Sequence, residues 1–241
     1  MPVALVTGSA IRIGCATARA LAEAGFDLAL HAHGSAGRLA PLKAELESLG
    51  RAVHCFEADL ATEEGVAALA QAVAARFPAV DALVHNAGIF ERVAFGDITR
   101  AQYRRMMAIN LDAPFFLTQG LLPRLRAAPS PCVVHVTDIG GERALSHYAH
   151  YGVSKAGLLM LTRQLAVELA PHVRVNAVSP GTVAFPEDFT PKQRASVLRR
   201  VPLAREGAVE DIARAVVFLV TAAPYVTGQV LAVDGGRSAA L

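Results

Sequence analysis

The sequence predicts a single-domain α/β protein, a doubly wound parallel sheet of about seven strands with helices on both faces. Short apolar, β-branched runs alternate with longer segments of helical periodicity along the whole 241-residue chain. A Gly-rich turn follows the first such run directly and leads into a helix. In the middle of the chain another buried run ends in an acid, Asp138, followed by a helix that carries Tyr151 and Lys155.

Residues 3–6 read as the first strand, and Thr7 to Gly14 as the turn into a helix that ends near residue 24. In such a turn backbone N–H groups approach a pyrophosphate, and the helix N-terminus favours its charge. Gly8, Ile13 and Gly14 are therefore candidate cofactor residues. Arg12 stands beside the expected phosphates, and a charge-assisted contact with pyrophosphate or substrate is preferred there over a surface role. Residues 27–31 form the second strand, ending in His31-Ala-His33-Gly34-Ser35. An NAD-binding protein would carry an acid here for the ribose hydroxyls. None is present, which favours NADP(H); the histidines by themselves suit an ordinary strand end equally well.

Residues 38–49 have the pattern of an amphipathic helix closed by Gly50, and 53–57 that of a third strand. Asp59 begins the next turn, as a helix-start acid would. Thr62, Glu63 and Glu64 open another helix, and the fourth strand at 82–84 runs into His85-Asn86-Ala87-Gly88-Ile89-Phe90. A long helical segment from about 99 to 126 carries Asn110 and is bent or disrupted at Pro114. Val133, Val134 and Val136 form a run too short for a helix, so Asp138 lies at the carboxyl end of a strand, where open α/β sheets hold ligands. Past a loop at 139–147, Tyr151 and Lys155 are four residues apart and share one helix face. A phenol with a pKa of about 10 is a poor proton relay at neutral pH, and a nearby ammonium lowers that pKa. Residues 173–178 form the sixth strand, and Pro180-Gly181 turns the chain over the ligand site. Mixed polarity, Pro186, Pro191 and a short helix fill 183–205, where Arg194, Arg199, Arg200 and Arg205 read as a solvated face. A helix at 210–221, a last strand at 230–233 and the turn Asp234-Gly235-Gly236 complete the chain.

Composition narrows the function classes. At 53% hydrophobic and 18% charged the chain can bury a large core, and a formal charge of +2 without a basic run gives no reason to expect nucleic acid. Cys15, Cys55 and Cys132 are odd in number and far apart, which suits a reduced, cytoplasmic protein. The N-terminus is strand at once, without a signal peptide. The most apolar stretch, 213–226, holds Arg214 and Pro224 and is too short for a bilayer, so no membrane span is expected. The histidines show no paired ligand spacing, and no metal is expected.

The Tyr151/Lys155 pair, Asn86-Ala87-Gly88, Asn110, Pro180-Gly181 and Asp234-Gly235-Gly236 resemble, in order and spacing, the short-chain dehydrogenase/reductase family, whose fold is of Rossmann type. The resemblance runs from residue 3 to about 237. Two departures, Asp138 where most of that family has serine and Arg12 in place of a middle glycine, resemble its pteridine reductase and dihydromonapterin reductase branch. That likeness implies an active site of Asp138, Tyr151 and Lys155, with Lys155 holding the nicotinamide ribose. It further implies that Asn110 connects Lys155 to solvent, although a capping or kink-satisfying asparagine is the plain alternative. Asp59 and Leu60 would border the adenine; Asn86, Ala87, Gly88, Pro180 and Gly181 would line the cofactor. His33 and Ser35 match an NADP-enzyme arrangement, with Gly34 where an arginine is usual, which leaves NAD(H) open. Phe90 would stack on a pterin opposite the nicotinamide, Arg12 and Tyr148 would touch substrate, and 183–208 would form a substrate loop. The helix beginning near Tyr148 would belong to a four-helix interface of a homotetramer.

Asp138 divides the functional expectations. A serine donates a hydrogen bond to a carbonyl, whereas an ionised aspartate only accepts. A carboxylate therefore suits the amino and ring N–H donors of a pterin and repels a developing alkoxide, unless burial keeps it protonated. The expected function is an NADPH-dependent pteridine reductase acting on dihydrobiopterin, dihydromonapterin or dihydrofolate. A carbonyl or 3-oxoacyl reductase is the alternative, and a non-catalytic NADP(H)-binding sensor the third.

Overall fold

In β1 (Val3–Val6) every side chain is buried, and the period of two sends Val3 and Leu5 to one face and Ala4 and Val6 to the other. That division organises the protein. In the computed structural model, which describes residues 1–34, 36–185 and 189–240, seven parallel strands form one sheet in the order β3-β2-β1-β4-β5-β6-β7. The strands after β1 are β2 (Asp27–Ala32), β3 (Val53–Glu57), β4 (Ala82–His85), β5 (Cys132–Val136), β6 (Arg174–Pro180) and β7 (Val230–Val233). Helices α1 (Arg12–Glu23), α2 (Ala36–Ser48) and α8 (Val209–Thr221) supply Leu21, Leu39 and Val216 to the core on the Ala4/Val6 face. Helices α3 (Glu63–Arg76), α5 (Ala113–Arg126) and α6 (Ala149–Glu168) cover the other face with Leu69, Val73, Leu117, Leu121 and Ala166. Strands so covered must be apolar on both sides, which is why they read as continuous runs.

Local chemistry sets the element ends. Thr62 caps α3 by accepting from Gly65 N at 3.0 Å, and Thr99 forms a reciprocal capping box with Gln102 at α4 (Arg100–Met107). Thr190 does the same with Gln193 for the short α7 (Pro191–Leu198). The second helix begins at Ala36, two residues before the expected start, so Arg38 lies in its first turn. Ser35 and Pro186 lie outside the described residues.

The segment expected as one long helix from 99 to 126 is three pieces. Between α4 and α5 the chain makes a π-helical turn at Ala108–Asp112, just ahead of Pro114. Proline has no N–H to donate and crowds the preceding turn, so the disruption falls where expected but takes the form of a widened turn. Strand order reverses between β1 and β4, and ligands in such sheets bind in the crevice beyond the carboxyl ends at that point. No helix among the described residues is long and apolar enough to cross a membrane.

Candidate active site

Beyond β5 the chain stays extended at Asp138, whose carboxylate turns back to accept a hydrogen bond from Gly140 N at 2.6 Å and caps a short 3₁₀ turn. One turn apart on α6, Tyr151 and Lys155 are each 5% exposed. The Tyr151 hydroxyl donates to Asp138, and the Lys155 ammonium lies 5.8 Å from the Tyr151 ring centre while donating to Val136 O at 2.9 Å. Asp138, Tyr151 and Lys155 thus meet over the end of β5.

The electrostatics differ from expectation. Burial, then the charge of Asp138 and the hydrogen bond to it, push the Tyr151 hydroxyl well above its ordinary range. Lys155 was expected to lower it; instead its ammonium is turned to the Val136 carbonyl, and the nearby carboxylate dominates. Burial pulls Lys155 itself down to about 8, with Asp138 opposing. Burial also raises the Asp138 carboxyl, against the Gly140 N–H, the Lys155 charge, the Tyr151 hydroxyl and the Arg237 charge. The site therefore holds a protonated phenol pointed at a carboxyl group, backed by an ammonium.

Asn110 sits in the π-helical turn, 1% exposed. Its Oδ1 accepts from Ile89 N at 2.9 Å, and its Nδ2 donates to Ile89 O and to Ser154 Oγ, both at 3.1 Å. Ser154 Oγ in turn donates to Tyr151 O at 2.7 Å. Asn110 therefore ties the widened turn to the chain after β4 and to α6. Ser154, absent from the sequence candidates, is the middle of that tie; its position one turn beyond Tyr151 was the available signal.

Phe90 and Tyr148 stand side by side at the cleft. Their rings stack at 4.3 Å with 11° between planes, and Phe90 meets the Tyr151 ring edge-on at 4.6 Å. At that spacing a planar ligand cannot lie between Phe90 and Tyr148, so it must lie across one of them or displace one. Together with Asp138, Leu145 and Val183 they line a cleft of about 420 Å³.

A second cleft, of about 760 Å³, shares Arg12, Ile13, Asn86, Gly88, Ile89 and Phe90 with the first, so the two are continuous. Gly8, Gly14, Ala87, His33, Asp59 and Leu60 line it. Gly8 has φ +64, and a Cβ on Gly14 would lie 2.2 Å from Gly8 O, so the turn closes only without side chains at these positions. Asn86 Nδ2 donates to Thr7 O and Gly8 O, each at 3.0 Å, and fixes the turn against β4. His31, 2% exposed, accepts from Gly8 N with Nδ1 and donates to Ala58 O with Nε2, which defines its neutral tautomer. It is the turn's anchor, beyond the plain strand end its sequence suggested. The free N–H groups of the α1 N-terminus face this trough, and its volume, donors and glycine turn fit a dinucleotide.

At the far end His33 Nδ1 is 3.8 Å from Asp59 Oδ1, which also accepts from Ala61 N. Arg38 lines the same cleft and was not a sequence candidate; its register in the first turn of α2 was hidden by the late helix start. Arg12, at φ +51, sends Nη2 to Ala184 O at 2.6 Å and Val183 O at 3.3 Å, and so lies at the junction of both clefts. Pro180 and Gly181 line the smaller cleft, with Gly181 N bonded to Val233 O. The arginines of 194–205 are not a uniform solvated face: Arg194 lies 5.4 Å over the Phe185 ring, and Arg205 pairs with Asp211.

A family model described as enoyl-(acyl carrier protein) reductase matches residues 8–238. The chain is 37% identical to the cis-4-hydroxycyclohexanecarboxylate dehydrogenase of Sinomonas cyclohexanicum, over 98% of this chain and 96% of that protein. It is 34% identical to the 3-oxoacyl-[acyl-carrier-protein] reductase of a Synechocystis species, over 97% and 96%. Among solved structures, a blue fluorescent protein from a metagenomic library in complex with NADPH superposes with a TM-score of 0.90 at 34% identity, covering 98% of this chain and 97% of that one.

Proposed function

The chain belongs to the short-chain dehydrogenase/reductase family of oxidoreductases, and from that premise we propose that it is an NADPH-dependent pteridine reductase that reduces a dihydropterin such as dihydrobiopterin, dihydromonapterin or dihydrofolate. The observation that carries the reading is Asp138. Its carboxyl takes the Tyr151 hydroxyl and the Gly140 N–H and leaves acceptor capacity towards the cleft, which complements the amino and ring N–H groups of a pterin. Phe90 and Tyr148 offer an aromatic wall for a flat heterocycle.

NADPH, when bound, supplies the hydride. The residues that would hold it are Gly8, Arg12, Ile13 and Gly14 at the pyrophosphate, Asn86, Ala87 and Gly88 beside β4, Asp59 and Leu60 at the adenine, and Tyr151, Lys155, Pro180 and Gly181 around the nicotinamide half. His33 belongs to the same set at the adenosine ribose, and Arg38 adds there the cation that Gly34 lacks, which supports NADPH over NADH. Arg12, Phe90, Asp138, Tyr148 and Tyr151 bind the substrate. The Lys155 charge favours the ionised form of Asp138, against the burial that opposes it. Tyr151 and Asp138 hand a proton to the reduced ring nitrogen through water, and solvent restores it by way of Lys155 and Asn110.

The whole chain acts as one NAD(P)-binding domain with 183–208 as its substrate loop. A homotetramer is supported by exposed apolar side chains on α5 and α6, among them Phe115, Phe116, Val153, Met160 and Val167. The free thiols of Cys15, Cys55 and Cys132 suit a cytoplasmic setting.

A second reading, a carbonyl or 3-oxoacyl reductase, draws on the relatives, which carry dehydrogenase and 3-oxoacyl reductase names. It requires Asp138 to be protonated, towards which burial pushes it. The deciding experiment is NADPH and NADH consumption with dihydrobiopterin, dihydromonapterin, dihydrofolate and a 3-oxoacyl thioester. Pterin turnover with NADPH preferred is expected. Thioester turnover without pterin turnover would replace the first reading with the second.

A further inference from the structure

We propose that Arg237, reaching into the smaller cleft from the turn after β7, is a substrate-binding residue that selects compounds carrying a carboxylate or similar anionic substituent. The proposal deepens the reading above and rests on it for the pterin ring, though not for the charge.

Four charged side chains line this cleft among the described residues, the cations Arg12, Lys155 and Arg237 and the single anion Asp138. Two of the cations have partners. Lys155 lies near enough to Asp138 for each to shift the other, and Arg12 is turned to the carbonyl oxygens of Val183 and Ala184. Arg237 does not. Its hydrogen-bond partner is the neutral hydroxyl of Thr182 at 2.7 Å, and among the described residues no carboxylate lies within ion-pair distance of it. The nearby acid, Asp234, has its oxygens taken up by Gly236 N at 2.8 Å and Ser238 N at 2.6 Å. A guanidinium with spare planar donors and no carboxylate in ion-pair contact among the described residues, partly buried at a cleft wall, is a ready carboxylate receptor.

Its position is also built. The two Asp234 bonds shape the turn that carries it, and Arg143, from the segment following Asp138, donates to Ser238 O. The segments after β5, β6 and β7 are thereby cross-linked around the cleft, and Arg237 comes close enough to Asp138 to act on its carboxyl. A substrate that offers N–H donors to Asp138 and an anion to Arg237 would satisfy both at once.

The test uses two pairs differing only in charge: 7,8-dihydropterin-6-carboxylate with its methyl ester, and 4-oxocyclohexanecarboxylate with its methyl ester. For each, kcat/KM with NADPH and the Kd for the enzyme–NADP+ complex are measured on the wild type, Arg237→Gln and Arg237→Lys. The expected wild-type preference for acid over ester is about 10- to 100-fold, in the range of one charge-assisted pair. Arg237→Gln should bring that ratio near unity, and Arg237→Lys should keep much of it. No wild-type preference in either pair, or a preference that survives in Arg237→Gln, overturns the proposal. A preference confined to the ketone pair sustains Arg237 and removes the pterin; pterins reduced without acid preference do the reverse. Should Arg237→Gln fail to fold, the wild-type ratio decides: it must fall with rising ionic strength, and a salt-independent ratio overturns the ion-pair account.

Discussion

Asp138→Ser restores the residue usual in the family and changes one side chain at the centre of the site. In the protein as it stands, the Asp138 carboxylate accepts from Gly140 N and from the Tyr151 hydroxyl. A pterin would add charge-assisted hydrogen bonds to the same group, each worth roughly 1.5–3 kcal/mol. A serine oxygen can still cap the short 3₁₀ turn, so the loop should persist. It cannot hold a donor edge with charge, and losing about two such bonds, partly offset by the hydroxyl, costs on the order of 3 kcal/mol, or about 100-fold in pterin kcat/KM. The Tyr151 hydroxyl loses both influences of Asp138 and its pKa falls, so the alkaline limb of the rate profile moves to lower pH. Serine also donates to a carbonyl and no longer repels an alkoxide, so 3-oxoacyl thioester turnover should rise by about 10-fold or more. The assay is kcat/KM against pH for both substrates on both enzymes, with the melting temperature as a folding control. Pterin turnover within about threefold of wild type would refute the role given to the carboxylate.

Three other outcomes are expected. Tyr151→Phe removes only the hydroxyl, so turnover should drop by about 10²- to 10⁴-fold, the usual weight of a positioned acid, while calorimetry finds NADPH binding nearly intact. Arg38→Ala should raise the KM for NADPH by about 10-fold and leave that for NADH unchanged; equal effects on both cofactors would remove Arg38 from the 2′-phosphate. Lys155 supplies a pH signature in the cofactor-free protein. Its pKa is lowered from 10.5 to about 8, so between those values the unfolded chain binds the proton more readily than the folded one. Stability therefore rises with pH across that window, by at most roughly 3 kcal/mol from this group at about 1.4 kcal/mol per pH unit, and Lys155→Met should flatten the rise in denaturant titrations.

The strands were legible because burial on both faces leaves continuous β-branched runs, and Asp138, Tyr151 and Lys155 were legible because a strand end and a four-residue helical spacing dictate where they point. Other features depend on what the chain brings together over long range. The π-helical turn at Ala108–Asp112 leaves the apolar periodicity nearly undisturbed, so only Pro114 marked it. Ser154 matters through Asn110, 44 residues away, and Arg237 through a cleft wall assembled from three different strand ends. The stacking of Phe90 on Tyr148 is a choice of rotamers that no spacing announces. The direction of the Tyr151 shift followed from burial and from a carboxylate in contact, and pattern alone could not rank these against Lys155.

The backbone shows where this fold departs from ease. Among the described residues four non-glycine positions have positive φ: Arg12 at 51, His147 at 69, Ala184 at 50 and Ala204 at 51. Each costs on the order of 1 kcal/mol or more relative to an extended or helical conformation. Arg12 and Ala184 line the smaller cleft, and His147 precedes Tyr148 in its wall. They are held by contacts that cross between loops: Arg12 binds the Ala184 carbonyl, and Val93 N donates to His147 O at 2.9 Å. A glycine at position 12 would relieve the backbone, yet it would also release the carbonyls of 183 and 184 from their arginine tether at the edge of the cleft. The strain of the left-handed Arg12 is offset by those hydrogen bonds, which join the turn ahead of α1 to the segment after β6 at the edge of the cleft that Asp138 and Arg237 also line.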